Sequence, residues 1–315
     1  MTGALTRLGV HRIPVPVPFP EAGGPANVYV IEEKDGGVAL FDAGIGTKEG
    51  RDALHAGLDE LGISTGELRR IFVSHGHIDH YGCARAAQEA SGAPVYAHLR
   101  DHDKLTGRDR TARRLELYAA YLSRLGAPPR LLEHVRIHWQ DALRMARPLE
   151  HVEPLPAGTI LRFKRFSAEV LHLPGHTPGL ICLWAPEARV LFSDDHLLER
   201  VSPNPLLDLE GQGSRRRTAA WRCSTPASAR RKGRDALHAG LDELGISTGE
   251  LRRIFELLLA GPLTPAELAP KVFPQAREHQ LYLTLSEVLG NLEVLEAQRR
   301  VARSERQGRI YFEAV

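Results

Sequence analysis

Apolar positions recur along this chain with two different periods, and the changes of period mark out its elements. Residues 27–31 and 38–42 read as strands flanking a Lys34-Asp35-Gly36-Gly37 turn, a hairpin signal. In residues 51–61, Leu54, Leu58 and Leu61 stand at helical spacing. Ser64 and Glu67 have capping-box spacing, yet the chain soon becomes a short apolar strand at 71–74. Residues 81–91 are helix-prone, and 95–97 read as strand. Residues 110–125 form an amphipathic helix with Leu115, Tyr118, Leu122 and Leu125 on one face. Residues 168–173, 180–184 and 189–193 are predicted strands. The pattern predicts a mixed α/β domain that contains hairpins as well as α/β alternation.

From Glu256 the period is helical. Residues 256–260 close a helix that stops at Gly261. Thr264 is an N-cap, with Pro265 at the first helical position and Glu267 at capping-box spacing. Residues 281–299 form a third helix, and 300–303 and 309–312 a hairpin around Gln307-Gly308. Three short helices and a terminal hairpin predict a winged helix-turn-helix. The expected domains are 1–212, a connector at 213–255, and 256–315.

Residues 50–72 recur without a single change as 233–255. Diverged structural repeats do not stay identical, so this is a recent duplication, a recombined gene or an error in the source sequence. The copies have different neighbours. The first LRRIF, 68–72, leads into Val73-Ser74-His75 and should be strand. In the second, Leu251, Ile254, Phe255 and Leu258 fall on one helical face, which predicts helix.

The 315 residues are 43% hydrophobic and 25% charged, ordinary usage for a globular chain with a sizeable core. No apolar run approaches ~18 residues, so no membrane helix is expected. No secretory leader is read at the N-terminus. Three scattered cysteines make neither a disulfide framework nor a metal-binding pair, and a cytoplasmic setting is expected. A net charge of +2 gives no footprint for nucleic acid. Histidine changes the picture: there are 15, most of them between Leu54 and Leu197.

The densest group is Ser74-His75-Gly76-His77-Ile78-Asp79-His80, directly after a strand. In extended chain His75 and His77 project to the same side. Three imidazoles and a carboxylate this close can hold a divalent metal, or divide between two. This H-x-H-x-D-H run resembles the metallo-β-lactamase superfamily, and other landmarks follow in order. They are Phe41-Asp42-Ala43-Gly44, then Leu173-Pro174-Gly175-His176-Thr177-Pro178-Gly179, then Ser193-Asp194-Asp195-His196. The resemblance covers about residues 10–212 and implies an αββα sandwich with metals at one edge. It implies His75, His77 and His176 at one metal and Asp79 and His80 at a second, with Asp195 bridging. Asp42 is implied to orient a ligand imidazole. Asp194 stands where the family usually has glycine.

The resemblance also implies hydrolysis by metal-activated water, with Asp79 and Asp195 as the catalytic carboxylates. Zinc suits the nitrogen-rich set, which iron or manganese also fits. The family's further histidine, in a loop after the fourth motif, has no counterpart. Only His238 and His279 follow His196, and the second copy stands where that loop belongs, so a weakened second site is expected.

Other side chains get plainer readings. His172 is a packed strand histidine or a support to the site. His98 and His102 are expected to be exposed. Tyr81 and Cys83 are expected to pack. The basic stretch 215–234 reads as a solvated connector, because no aromatic residues interleave it for stacking. The would-be recognition helix of the winged module carries Glu287, Glu293 and Glu296 and meets no Lys or Arg until its end, which argues against DNA reading. The favoured substrate is a small ester or thioester. RNA cleavage with the same metals, and a non-catalytic protein that keeps the fold, are the alternatives. The sequence carries no reading of oligomeric state.

Overall fold

The computed structural model describes residues 2–19, 22, 24–108, 112–198, 248–277 and 280–315. The expected connector up to residue 247, with the front part of the second copy, His238 and Cys223, lies outside the described residues. So does His279.

The chain divides into two compact units. The first comprises Met1–Arg110, Trp139–Leu173 and Thr177–Val201. Its larger sheet has six strands: β1 (Val10–Val15), β2 (Ala26–Glu32), β3 (Val38–Phe41), β4 (Leu68–Phe72), β5 (Val95–Ala97) and β6 (Glu153–Pro154), paired in that order. β1–β2 and β2–β3 are antiparallel, whereas the pairs from β3 to β6 are parallel. The second sheet is antiparallel, with β7 (Ile160–Arg162), β8 (Ser167–His172), β9 (Ile181–Ala185) and β10 (Val190–Phe192) in the order β10-β9-β8-β7.

Period-two alternation explains the layering. Val28, Val30, Leu40 and Ile71 face one way and pack with Leu54 and Leu58 of the helix Lys48–Glu60 and with Ala84 and Ala87 of the helix Ala84–Ser91. Ile31, Ala39, Phe41 and Phe72 face the other way and meet Ala168, Val170, Ile181 and Leu183 of the second sheet. Strand β3 is buried at all four positions because it lies between both cores. Each large apolar side chain removed from water in this way contributes about 1.5–3 kcal/mol.

The second unit comprises Thr111–His138, Pro174–His176 and Ser202–Val315. Its C-terminal part has the expected order: helices Thr248–Leu258, Pro265–Val272 and Leu281–Ala297, then the hairpin Val301–Arg306 with Arg309–Ala314. Thr264 caps the middle helix, its hydroxyl accepting from the Glu267 N–H while Glu267 Oε2 accepts from the Thr264 N–H. The helix Ala112–Arg124 belongs to this unit although its sequence position lies within 1–212: Leu125 O accepts from Ala266 N, and Arg124 pairs with Glu305 at 2.8 Å.

Both halves of the duplication test are visible. Leu68–Phe72 is a strand in the larger sheet, while residues 251–255 lie inside the helix Thr248–Leu258. Ile254 and Leu258 are buried on the predicted face, and the Arg300 guanidinium lies over the Phe255 ring at 4.1 Å. The elements not foreseen include the edge strand Val10–Val15, the strands Glu153–Pro154 and Ile160–Arg162, and the helices Thr2–Arg7, His102–Leu105 and Pro129–Met145.

Candidate metal centre

Strand β4 ends at Phe72, and Val73 N still donates to Tyr96 O, so the chain leaves the sheet fully held at Ser74 and His75. Both residues are completely buried. The helix Ile78–Tyr81 starts immediately after His77, and this turn brings Asp79 and His80 back toward His75. The centroids of the His75 ring stand 4.6 Å from His77 and 4.2 Å from His80.

The donor atoms converge. His75 Nε2 is 3.0 Å from His77 Nδ1 and 3.8 Å from Asp195 Oδ2. His80 Nε2 is 3.5 Å from Asp195 Oδ2 and 3.5 Å from Asp79 Oδ2. Ligands about 2.0–2.1 Å from a tetrahedral ion stand about 3.3–3.4 Å from one another, so the spacing suits a shared metal. Ligand atoms of His75, His77, His176 and Asp195 all lie within 4.8 Å of one another. Those of His75, His80, Asp194 and Asp195 do the same. His75 and Asp195 are common to both sets. Asp79 belongs to neither set and meets the site through His80.

Behind the rings runs a directed hydrogen-bond chain. Asp42 Oδ1 accepts from Ser74 N at 2.7 Å, and Asp42 Oδ2 accepts from Ser74 Oγ at 2.9 Å. With its proton given to Asp42, Ser74 Oγ accepts from His75 Nδ1, also at 2.9 Å. Asp42 Oδ2 takes the Nδ1 proton of His80 at 2.9 Å. This assignment puts both protons on Nδ1 and leaves both Nε2 lone pairs facing the donor cluster. Asp42 therefore supports two imidazoles, one directly and one through Ser74, which sequence reasoning did not single out. Burial and then the charge of Asp194 push Asp42 well above the usual carboxylate range. Burial also works against ionisation of Asp194, but the His80 ring and hydrogen bonds from Asp42 and His75 hold it well below that range.

A second carboxylate, Asp101, was missed altogether. It is fully buried and accepts from Gly76 N at 2.8 Å, Thr177 Oγ1 at 2.6 Å and Gly179 N at 2.8 Å. It joins the loop between His75 and His77 to residues 177–179. Only its three-dimensional neighbours reveal it, since its partners are distant in sequence.

The expectation that His98 and His102 are exposed is corrected, for both are half-buried. His98 and His172 stack with centroids 3.8 Å apart at 12°. Burial, followed by the His172 ring, pushes His98 down to about 4. His172 Nε2 donates to Pro178 O, which makes His172 a support of that loop. Tyr81 is buried in the helix-side core. Cys83 is buried, its thiol donates to Ile45 O at 3.0 Å, and burial pushes its pKa up to about 12.

A mixed α/β unit that gathers histidines and carboxylates at the ends of its strands has the donor set of a metal-site protein. Residues 22–257 match the profile of the Metallo-beta-lactamase superfamily, and the chain belongs to that family. It is 25% identical over 329 residues to a probable metallo-hydrolase, YqjP, of Bacillus subtilis, covering 99% of each chain. It is 28% identical over 173 residues to the hydroxyacylglutathione hydrolase GloC of Haemophilus influenzae, covering 55% of this chain and 67% of that protein. A crystal structure of a metallo-beta-lactamase family protein from Thermus thermophilus superposes with a TM-score of 0.76 at 26% identity, covering 98% of this chain and 99% of that one. Among the described residues no helix is long and apolar enough to cross a membrane.

Proposed function

We propose that this metallo-hydrolase superfamily member hydrolyses a small ester or thioester, with His75, His77, His176 and Asp195 holding one divalent ion. Asp79, His80 and Asp195 are assigned to a second. Zinc is the ion that best suits a donor set dominated by imidazole. The observation that carries the reading is the convergence of imidazole and carboxylate donors at 3.0–3.8 Å, with the far side of His75 and His80 already hydrogen-bonded. A bound ion supplies acidified water and a polarised scissile group. The chain's own residues aim the imidazoles and hold them from behind. Asp79 and Asp195 supply the carboxylates that face the reacting side.

The relative named as a hydroxyacylglutathione hydrolase supports a thioester over a phosphodiester substrate. The C-terminal module, read as a winged helix, is assigned a packing role. Its long helix, Leu281–Ala297, carries no Lys or Arg, and most of its length is buried.

Elemental analysis of the purified chain, without added metal, tests the site. At least one tightly held ion per chain is expected, reduced in His77→Ala together with any thioesterase activity. A chain that holds no metal refutes the site assignment.

A further inference from the structure

Position 194 has a backbone conformation that favours glycine, φ +47°, yet it carries an aspartate. The side chain is almost wholly enclosed, 4% exposed. Its Oδ1 atom stands at the junction of three other residues. It lies 3.4 Å from His75 Nδ1 and 3.3 Å from His80 Nδ1, and accepts from Asp195 N at 2.8 Å.

Proximity alone groups Asp194 with His75, His80 and Asp195 as a ligand set. Direction separates it from them. Asp194 meets both rings at Nδ1, while the Nε2 atoms of the same rings turn toward Asp195 Oδ2. An oxygen on the Nδ1 side cannot share an ion held by Nε2 of the same ring, because the two nitrogens point away from each other. What it can do is hold the ring. A carboxylate behind a ligand imidazole fixes its tautomer and orientation and strengthens the opposite nitrogen as a donor.

We propose that Asp194 is a positioning residue of the metal centre, whose Oδ1 seats His75, His80 and the backbone of Asp195 together so that their outer donor atoms converge. Asp42 reaches His80 directly and His75 only through Ser74. Asp194 approaches both rings directly at Nδ1 and also accepts from the backbone of Asp195. A side chain placed in a strained conformation, at the one point where three donors can be set at once, has a use that glycine would not supply.

The role rests on the metal-site reading given above, and the test separates the two. Cobalt(II) is titrated into metal-free wild type, Asp194→Gly and Asp194→Asn, with affinity read by equilibrium dialysis and geometry by the visible d–d spectrum. Glycine relaxes the left-handed backbone, so the metal-free variant keeps its circular dichroism. Asparagine tolerates the same φ and keeps the oxygen, so it serves as the conservative rescue. Asp194→Gly is expected to bind cobalt about 10- to 100-fold more weakly with a shifted spectrum, and Asp194→Asn to recover part of the loss. Affinity and spectrum unchanged in both variants overturn the role of Asp194 alone. A wild type that binds no cobalt overturns the metal-site reading and the role with it.

Discussion

Glu287 lies on the helix Leu281–Ala297, opposite Glu250 on the helix Thr248–Leu258. Burial, then the charge of Glu250 and a hydrogen bond with it, push Glu287 from 4.5 up to about 8. Burial also raises Glu250. Asn291 offers limited relief, its amide reaching Glu250 Oε2 at 3.5 Å and donating to Glu287 O at 3.0 Å. A folded-state pKa above the unfolded one means that folding favours the protonated acid. The stabilisation is complete below about pH 4.5 and is lost as pH rises through about 8. At about 1.4 kcal/mol per unit, the loss is on the order of 3 kcal/mol by pH 7 and approaches 5 above pH 8. Glu287→Gln keeps the shape without the titration. Urea denaturation of wild type and Glu287→Gln, followed by far-ultraviolet circular dichroism at pH 5, 6, 7 and 8, should show the variant gaining on wild type at each step. Parallel stability curves across that range would refute the reasoning, because a purely packing role leaves the difference independent of pH.

Two further outcomes follow from buried groups in the first unit. With its pKa near 12, Cys83 carries roughly a thousandfold less thiolate at pH 8 than an ordinary cysteine. Iodoacetamide should therefore leave it unlabelled in the folded protein, and Cys83→Ala should retain hydrolysis; rapid labelling of Cys83 without unfolding contradicts this. Asp101→Asn can no longer accept from Gly76, Thr177 and Gly179 together, and leaving a buried donor unmet costs about 1–3 kcal/mol. Chemical denaturation of the metal-free variant checks it, and a change under about 0.5 kcal/mol would show that the loop connection is dispensable.

The candidate donors were legible because four of them fall within six residues, between a strand and a helix whose patterns are clear. Asp195 and Asp42 were legible through their motifs, whereas the parts played by Ser74 and Asp101 were not. Asp101 reaches Gly76 and residues 177–179 across long stretches of chain, and within His98-Leu99-Arg100-Asp101-His102 it looks like one more surface carboxylate. Asp194 looked like a departure from glycine with no stated purpose. The strand Val10–Val15 was hidden by Pro14, yet it lies at the edge of the sheet, where a proline costs little. The helix Pro129–Met145 was legible but unread: Leu131, Val135 and Trp139 stand at helical spacing in its sequence.

The duplicated segment shows why such limits are physical. Leu68, Ile71 and Phe72 of the first copy are buried in a strand held between β3 and β5. The same five residues at 251–255 are helical, with Ile254 buried and Phe255 under Arg300. Intrinsic preference cannot separate identical sequences, so the neighbours decide. Val73-Ser74-His75 extends an apolar run that a sheet can enclose, while Glu256-Leu257-Leu258 extends a helical face. The change reaches single groups. Glu67 in the first copy accepts from Ser64 N at 2.8 Å, and that bond holds its carboxyl below the usual range. Its counterpart Glu250 is enclosed beside Glu287, and burial raises it. One sequence thus yields a strand or a helix, and a lowered or a raised acid, according to what the rest of the chain sets against it. The periodicity of LRRIF is short enough to serve either element, and only the residues that follow it select one.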